Sequence, residues 1–251
     1  MTDPSGLIPP GELVQGLKRE IDRFVAVRSE LEALPWFGSL MAANEGIKKW
    51  RLHSFLRAVD TAEGQLDPQA RERLRDAANK LEGAELLVDY AERVVRTSSR
   101  IAITAFGLLY ADPDDVVYTR GFRRLACEAL EGISDDLVDL FLALLEAADF
   151  MISRPRPSTG TSHQVPGGTV DVAGPFVIVL PQEDFLVERI GVEAARLYSG
   201  HQQLTGRGLI LADPSSGRFG GARSLAFGIG DDTRRFQGLL GQARDVLGRD
   251  A

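Results

Sequence analysis

Apolar residues recur at three- and four-residue steps through most of the first 150 positions, and that spacing predicts one helix after another. Pro10 suits a first helical turn, and Leu13, Leu17, Ile21, Phe24, Val25 and Leu31 continue a single stripe. Leu34-Pro35-Trp36-Phe37-Gly38-Ser39 interrupts it, because proline restricts the residue before it and glycine frees the chain. A second helix is expected to about Gly64, with Leu40, Ala43, Ile47 and Trp50 on its apolar face and Leu52, Phe55, Leu56 and Val59 slightly rotated from them. Asp67-Pro68 reads as an N-cap followed by a first-position proline, opening a short charged helix to about Leu81. Leu86, Leu87, Tyr90, Ala91, Val94 and Val95 mark the next amphipathic helix. The run Ile101 to Ala111 has no polar face and reads as a buried core helix. Asp112-Pro113 is expected to restart a helix carrying Phe122, Leu125, Ala126 and Leu130. Ser134 is placed to cap the next helix, whose apolar residues crowd nearly all sides, with Asp135 and Asp136 at the positive end of its dipole.

The pattern changes after Met151. Positions 153–162 are rich in Pro, Gly, Ser and Thr and lack apolar periodicity, as a loop or linker does. Phe176 to Leu180 reads as a strand closed by Pro181, and a helical region over about 183–206 is expected to bend or break at Gly191. Gly208 to Leu211 and Ser224 to Phe227 look like two strands around a turn at Asp213 to Gly221, and a last helix spans 231–248. The resulting fold class is mainly α: a multi-helix body over 1–151, a flexible loop over 152–168, and a small α+β winged-helix-like element over 169–251.

Composition narrows the setting. The chain has 251 residues, 44% hydrophobic and 26% charged, so extensive disorder is not expected. The longest apolar segment is well short of the roughly 18 residues a membrane span needs. The N-terminal residues lack a basic stretch followed by an apolar run, so no secretory signal is expected. The lone Cys127 cannot form an internal disulfide and lies in an apolar stripe, and the cytoplasm is the expected compartment. The net charge is -7, with 18 basic and 26 acidic residues in 1–151 against 11 and 10 in 152–251. An acidic body opposes general affinity for nucleic acid, which depends on neutralising phosphates.

Catalytic and metal chemistry finds few candidates. His53, His163 and His201 are far apart and none has a companion at metal-ligand spacing. There is no paired-cysteine motif and no phosphate-binding loop, so neither a metal nor a cofactor is expected. Asp112, Asp114 and Asp115 suit helix capping as well as a cation. Trp36 and Phe37 form a candidate partner anchor that would equally pack back on the core. Lys48, Lys49, Arg51, His53 and Arg57 form a basic cluster beside Trp50, readable as an anion or nucleic-acid patch or as a solvated face paired with its acidic surroundings.

The phrase Leu204-Thr205-Gly206-Arg207-Gly208-Leu209-Ile210, followed by strand, turn and strand, resembles the latter half of a winged-helix domain, where a recognition helix runs into a two-stranded wing. The resemblance implies that Glu193, Arg196, His201, Gln202, Gln203 and Arg207 face outward, with Arg218 and Arg223 on the wing. Such side chains read base edges and phosphates, so the surface would take double-stranded DNA or a protein partner. Glu183, Asp184, Glu188 and Glu193 dilute the positive field there, and the same polar residues fit an ordinary solvated face.

In the first half, Leu34-Pro35-Trp36-Phe37-Gly38-Ser39, then Trp50-Arg51-Leu52-His53-Ser54-Phe55-Leu56 and Arg96-Thr97-Ser98-Ser99, is similar to helical proteins encoded by bacteria and their mobile elements. That likeness implies architecture and a setting in host–phage conflict, and transfers no catalytic residue. The expected function is a non-enzymatic binding or regulatory protein acting through the C-terminal element. The alternatives are an assembly protein that forms a homo-oligomer through its apolar helices, and an enzyme with a site between the two parts.

Overall fold

The computed structural model describes residues 38–78, 81–112, 118–153, 162–173, 176–212 and 225–249. The chain is mainly α with a small antiparallel sheet in its C-terminal part. It divides into two compact units, Met1–Arg123 with Ala243–Ala251, and Arg124–Gln242. Among the described residues no helix is long and apolar enough to cross a membrane.

The first unit holds α1 (Gly38–Gln65), α2 (Pro68–Ala78), α3 (Leu81–Arg96) and α4 (Arg100–Tyr110). All of Ile101 to Tyr110 is buried, as the unbroken apolar run requires. The buried Ser99 opens α4 by accepting the Ala102 N–H at 3.0 Å, a cap worth about 1 kcal/mol. Gly107 lets α4 lie against α1, since a Cβ there would stand 2.5 Å from the Ala58 Cβ and 2.9 Å from the Phe55 carbonyl oxygen. Around that crossing Phe55, Tyr90, Phe106 and Tyr110 form a ring cluster with centroids 5.8–6.3 Å apart. Burial pushes the Tyr110 phenol up to about 12. Arg51 donates to the Val95 carbonyl oxygen at 2.6 Å and ties α1 to the end of α3.

Two expectations for this region need correction. Of the two stripes on α1, the core takes Leu52, Phe55, Leu56 and Val59, while Ile47 and Trp50 are 49% and 44% exposed. The face of α1 that meets α3 and α4 is the one carrying Leu52, Phe55, Leu56 and Val59, and the rotated Ile47 and Trp50 fall off it. The helix carrying Phe122, Leu125, Ala126 and Leu130 begins at Arg120, after non-helical Tyr118 and Thr119, and positions 113–117 lie outside the described residues. The Asp112 carboxylate instead accepts the Tyr118 N–H at 2.8 Å and pairs with Arg123 at 3.3 Å.

The helix Arg120–Leu130 (α5) crosses into the second unit, which continues with α6 (Asp135–Ile152), β1 (Ser162–Val165), β2 (Gly168–Ala173), β3 (Phe176–Pro181), α7 (Glu183–Ile190), α8 (Ala194–Gly206), β4 (Leu211–Ala212), β5 (Phe227–Ile229) and most of α9 (Asp231–Arg249). The sheet order is β1-β2-β3-β5-β4, every neighbouring pair antiparallel. Between β3 and β4 lie α7 and α8, and β5 returns between the two strands. The β1–β2 hairpin is added beside β3.

Positions 162–165, expected within a loop, form β1, and 168–173 form β2. The alternation of Val170 with half-exposed neighbours is a strand period concealed by the glycines around it. The α7–α8 helix pair does break at Gly191, which adopts a left-handed conformation and donates to the Val187 carbonyl oxygen. The end of α8 is a Schellman turn. Gly208 has φ +73°, its N–H reaches the Thr205 oxygen at 3.0 Å, and the Leu209 N–H reaches the Leu204 oxygen at 3.0 Å. Leu204 and Leu209 are fully buried at either end of this turn. The turn takes up Gly208 to Ile210, so β4 starts only at Leu211, and the last strand sits at 227–229 rather than 224–227. The reading of 213–221 as a turn falls outside the described residues.

Candidate functional site

In the second unit, α6, α7 and α8 build one face. Ser134 caps α6 by accepting the Leu137 N–H at 3.3 Å, which fixes the first turn bearing Asp135 and Asp136. The α6 stripe of Leu137, Val138, Leu140, Phe141, Leu144 and Leu145 turns into the core, leaving Asp136, Asp139 and Glu146 exposed. On α8, Leu197, Gly200 and Leu204 are buried. A Cβ at Gly200 would overlap the Leu140 side chain, so α6 and α8 pack tightly there.

Beside that contact lies a groove of about 420 Å³. Leu137, Leu140, Ala143, Ile190 and Val192 give it an apolar lining, and Ser134, Asp136, Asp139, Arg196, Ser199 and Gln203 give it polar walls. Arg196 pairs with Asp136 at 2.9 Å, both well exposed. The side-chain amide of Gln203 donates to Ser199 Oγ at 3.3 Å, and Gln202 is exposed.

The surroundings are acidic. Asp136, Asp139 and Glu146 on α6, Glu183, Asp184 and Glu188 on α7, and Glu193 ahead of α8 are exposed, against the exposed arginines Arg189 and Arg196. Arg189 lies 4.4 Å over the Phe150 ring and 3.7 Å from Glu146. Tyr198 donates to Glu183 at 2.6 Å. The unit Arg124–Gln242 as a whole carries 10 basic and 15 acidic residues.

Two residues expected to face outward turn their polar ends into the unit. The Arg207 guanidinium donates to the carbonyl oxygens of Ala129 at 3.0 Å and Glu131 at 2.8 Å. These are orphan acceptors at the C-terminus of α5, where a cation is favoured. His201 is half-buried, with Nε2 3.1 Å from the Ala226 carbonyl oxygen and its ring edge-on to Phe227 at 6.2 Å. A carbonyl only accepts, so this nitrogen carries the proton. Burial holds the imidazole below its ordinary pKa, partly opposed by that bond. Both residues follow the helical period of the exposed set, and the tertiary contacts that claim them have no sequence signature. Arg196, Gln202, Gln203 and Glu193 are exposed as expected. Arg218, Arg223, Trp36 and Phe37 lie outside the described residues.

The groove was not foreseen. Its acidic wall has a faint signal in the sequence, Asp136 and Asp139 three apart and both off the apolar stripe, but the spacing alone also fits helix-dipole capping. Among the described residues no group of three or more His, Cys, Asp or Glu is arranged to hold a metal. His163 is buried in β1, and Cys127 is buried. No family model, curated protein or solved structure matches this chain.

Proposed function

We propose that this chain is a regulatory binding protein whose α6–α8 face docks a basic segment of a protein partner. The observation that carries this reading is the groove itself: an apolar lining walled by Asp136 and Asp139, on a face where carboxylates outnumber arginines. A segment offering an apolar side chain flanked by Lys or Arg would fill the lining and meet opposite charge on the walls. Duplex DNA would bring phosphates to the same carboxylates, and like charge there opposes association. Arg207, the cation best placed in sequence to serve DNA, is committed to backbone carbonyls. The assembly alternative finds less support, because α4 buries all of Ile101 to Tyr110 and α6 buries most of its apolar residues within the chain.

The Arg196–Asp136 pair separates the docking reading from its DNA alternative. Arg196→Ala removes a cation from the wall and exposes Asp136 to the partner. Fluorescence anisotropy with basic amphipathic peptides, each with a central Leu or Phe, is expected to show tighter binding to this variant and weaker binding to Asp139→Asn. A labelled duplex is expected to bind neither form at low salt. Salt-sensitive duplex binding that Arg196→Ala weakens would reverse the assignment, and failure of every basic peptide would remove it.

A further inference from the structure

A second candidate site lies in the first unit and is independent of the docking face. Exposed Trp50 and Arg57 and half-buried Ser54 on α1, exposed Arg100 and buried Thr104 on α4, and Leu247 near the end of α9 surround a small cavity of about 140 Å³. The Arg100 guanidinium stands 5.8 Å from the centre of the Trp50 ring, which holds a charged fork beside an aromatic face. Both hydroxyls are turned toward their own helices: Ser54 donates to the Trp50 carbonyl oxygen and Thr104 to the Arg100 carbonyl oxygen, each at 3.0 Å. The donors this cavity offers a ligand are therefore guanidinium N–H groups. Each guanidinium carries five, so a contact within the chain leaves others to spare. Among the described residues no carboxylate lines the cavity, in a chain whose net charge is -7. Lys48 and Lys49 add positive charge on the same helix.

We propose that this cavity binds the phosphoryl group of a small soluble phosphate, through Arg57 and Arg100 beside Trp50. Planar forks match the oxygens of a tetrahedral dianion better than point charges do. The volume argues for one group rather than a whole molecule, being well below the roughly 300–1,000 Å³ of drug-sized sites. If the phosphate is esterified, its carrier extends from the mouth of the cavity over the exposed face of Trp50. Trp50 and Arg100 thereby acquire a shared role that neither the buried stripe of α1 nor the capping of α4 explains.

The test is a titration of the full-length chain with inorganic phosphate and, separately, with a nucleoside monophosphate. Heat of binding and the Trp50 indole N–H resonance are the two readouts. Saturable binding of at least one of the two is expected, weakened at least tenfold in Arg100→Gln and in Arg57→Gln. Equal affinity for the two would identify the free oxyanion as the ligand, and tighter binding of the nucleotide would identify an ester that contacts Trp50. Both arginines are exposed, so the variants are expected to keep the wild-type thermal melt, which circular dichroism checks. Indole shifts that only match those from sodium chloride would overturn the proposal. So would saturable binding that survives replacement of both arginines.

Discussion

The two units handle their most apolar helix differently. In the first, Ile101 to Tyr110 of α4 are all buried, and neighbours meet them through rings and a glycine contact. In the second, α6 is enclosed along one stripe only, and its other side is left carrying Asp136, Asp139 and Glu146 beside an open groove. Beyond its exposed first residue, Arg100, α4 turns no side chain outward with which to meet a partner. A helix with a regular polar remainder can act as scaffold and surface at once. Both proposed sites fall where burial is incomplete, along α6 and α8 and at the corner of α1 where Trp50 stays exposed.

The largest effect expected is in the enclosed core. Phe55→Ala removes a ring that touches Tyr90 and Tyr110 in a site with no solvent access, and should cost about 3–5 kcal/mol by urea denaturation. A loss below about 1 kcal/mol would mean the ring cluster is not the organising feature of that unit. Next comes Arg207→Ala in the second unit. It strands two carbonyl oxygens at the end of α5 and should cost about 1–3 kcal/mol, whereas a residue reading DNA from an exposed face would cost almost nothing.

His201 gives a smaller effect, and its direction is fixed. Its folded pKa lies below that of a free imidazole, so the native state binds fewer protons than the unfolded state near that range. Its contribution is intact above the ordinary histidine pKa and is lost as pH falls through the lowered folded value. Denaturant melts of the wild type and His201→Gln between pH 7.5 and 5.5 should show the wild type losing more stability on acidification. Equal slopes would place the imidazole in solvent. The smallest change is expected for Arg196→Ala, where an exposed ion pair contributes less than about 1 kcal/mol to stability while its loss still alters peptide affinity.

The helices were legible because their apolar periods are strong. Ile101 to Tyr110 declares itself buried, and Ser134 and Asp67 stand where caps are needed. The hairpin at 162–173 was not, because Pro166, Gly167 and Gly168 look like linker until the pairing of His163 with Val170 is known. On α1 the sequence contained two apolar stripes, and only the position of α4 decides which is buried. Arg207 shows the same limit from the polar side. Its spacing puts it with Gln203, yet two carbonyl oxygens 76 and 78 positions earlier in the chain claim its guanidinium.

The hairpin has one further consequence. A sheet is vulnerable at its margins, where unpaired N–H and C=O groups can template another chain. Here the six-residue strands β2 and β3 lie inside the order, and among the described residues the margins are β1 with four residues and β4 with two. Without β1 and β2, the full length of β3 would form a margin rich in Val and Ile. The appended hairpin covers the whole of that edge of β3 by backbone pairing, so none of it is left open to another chain.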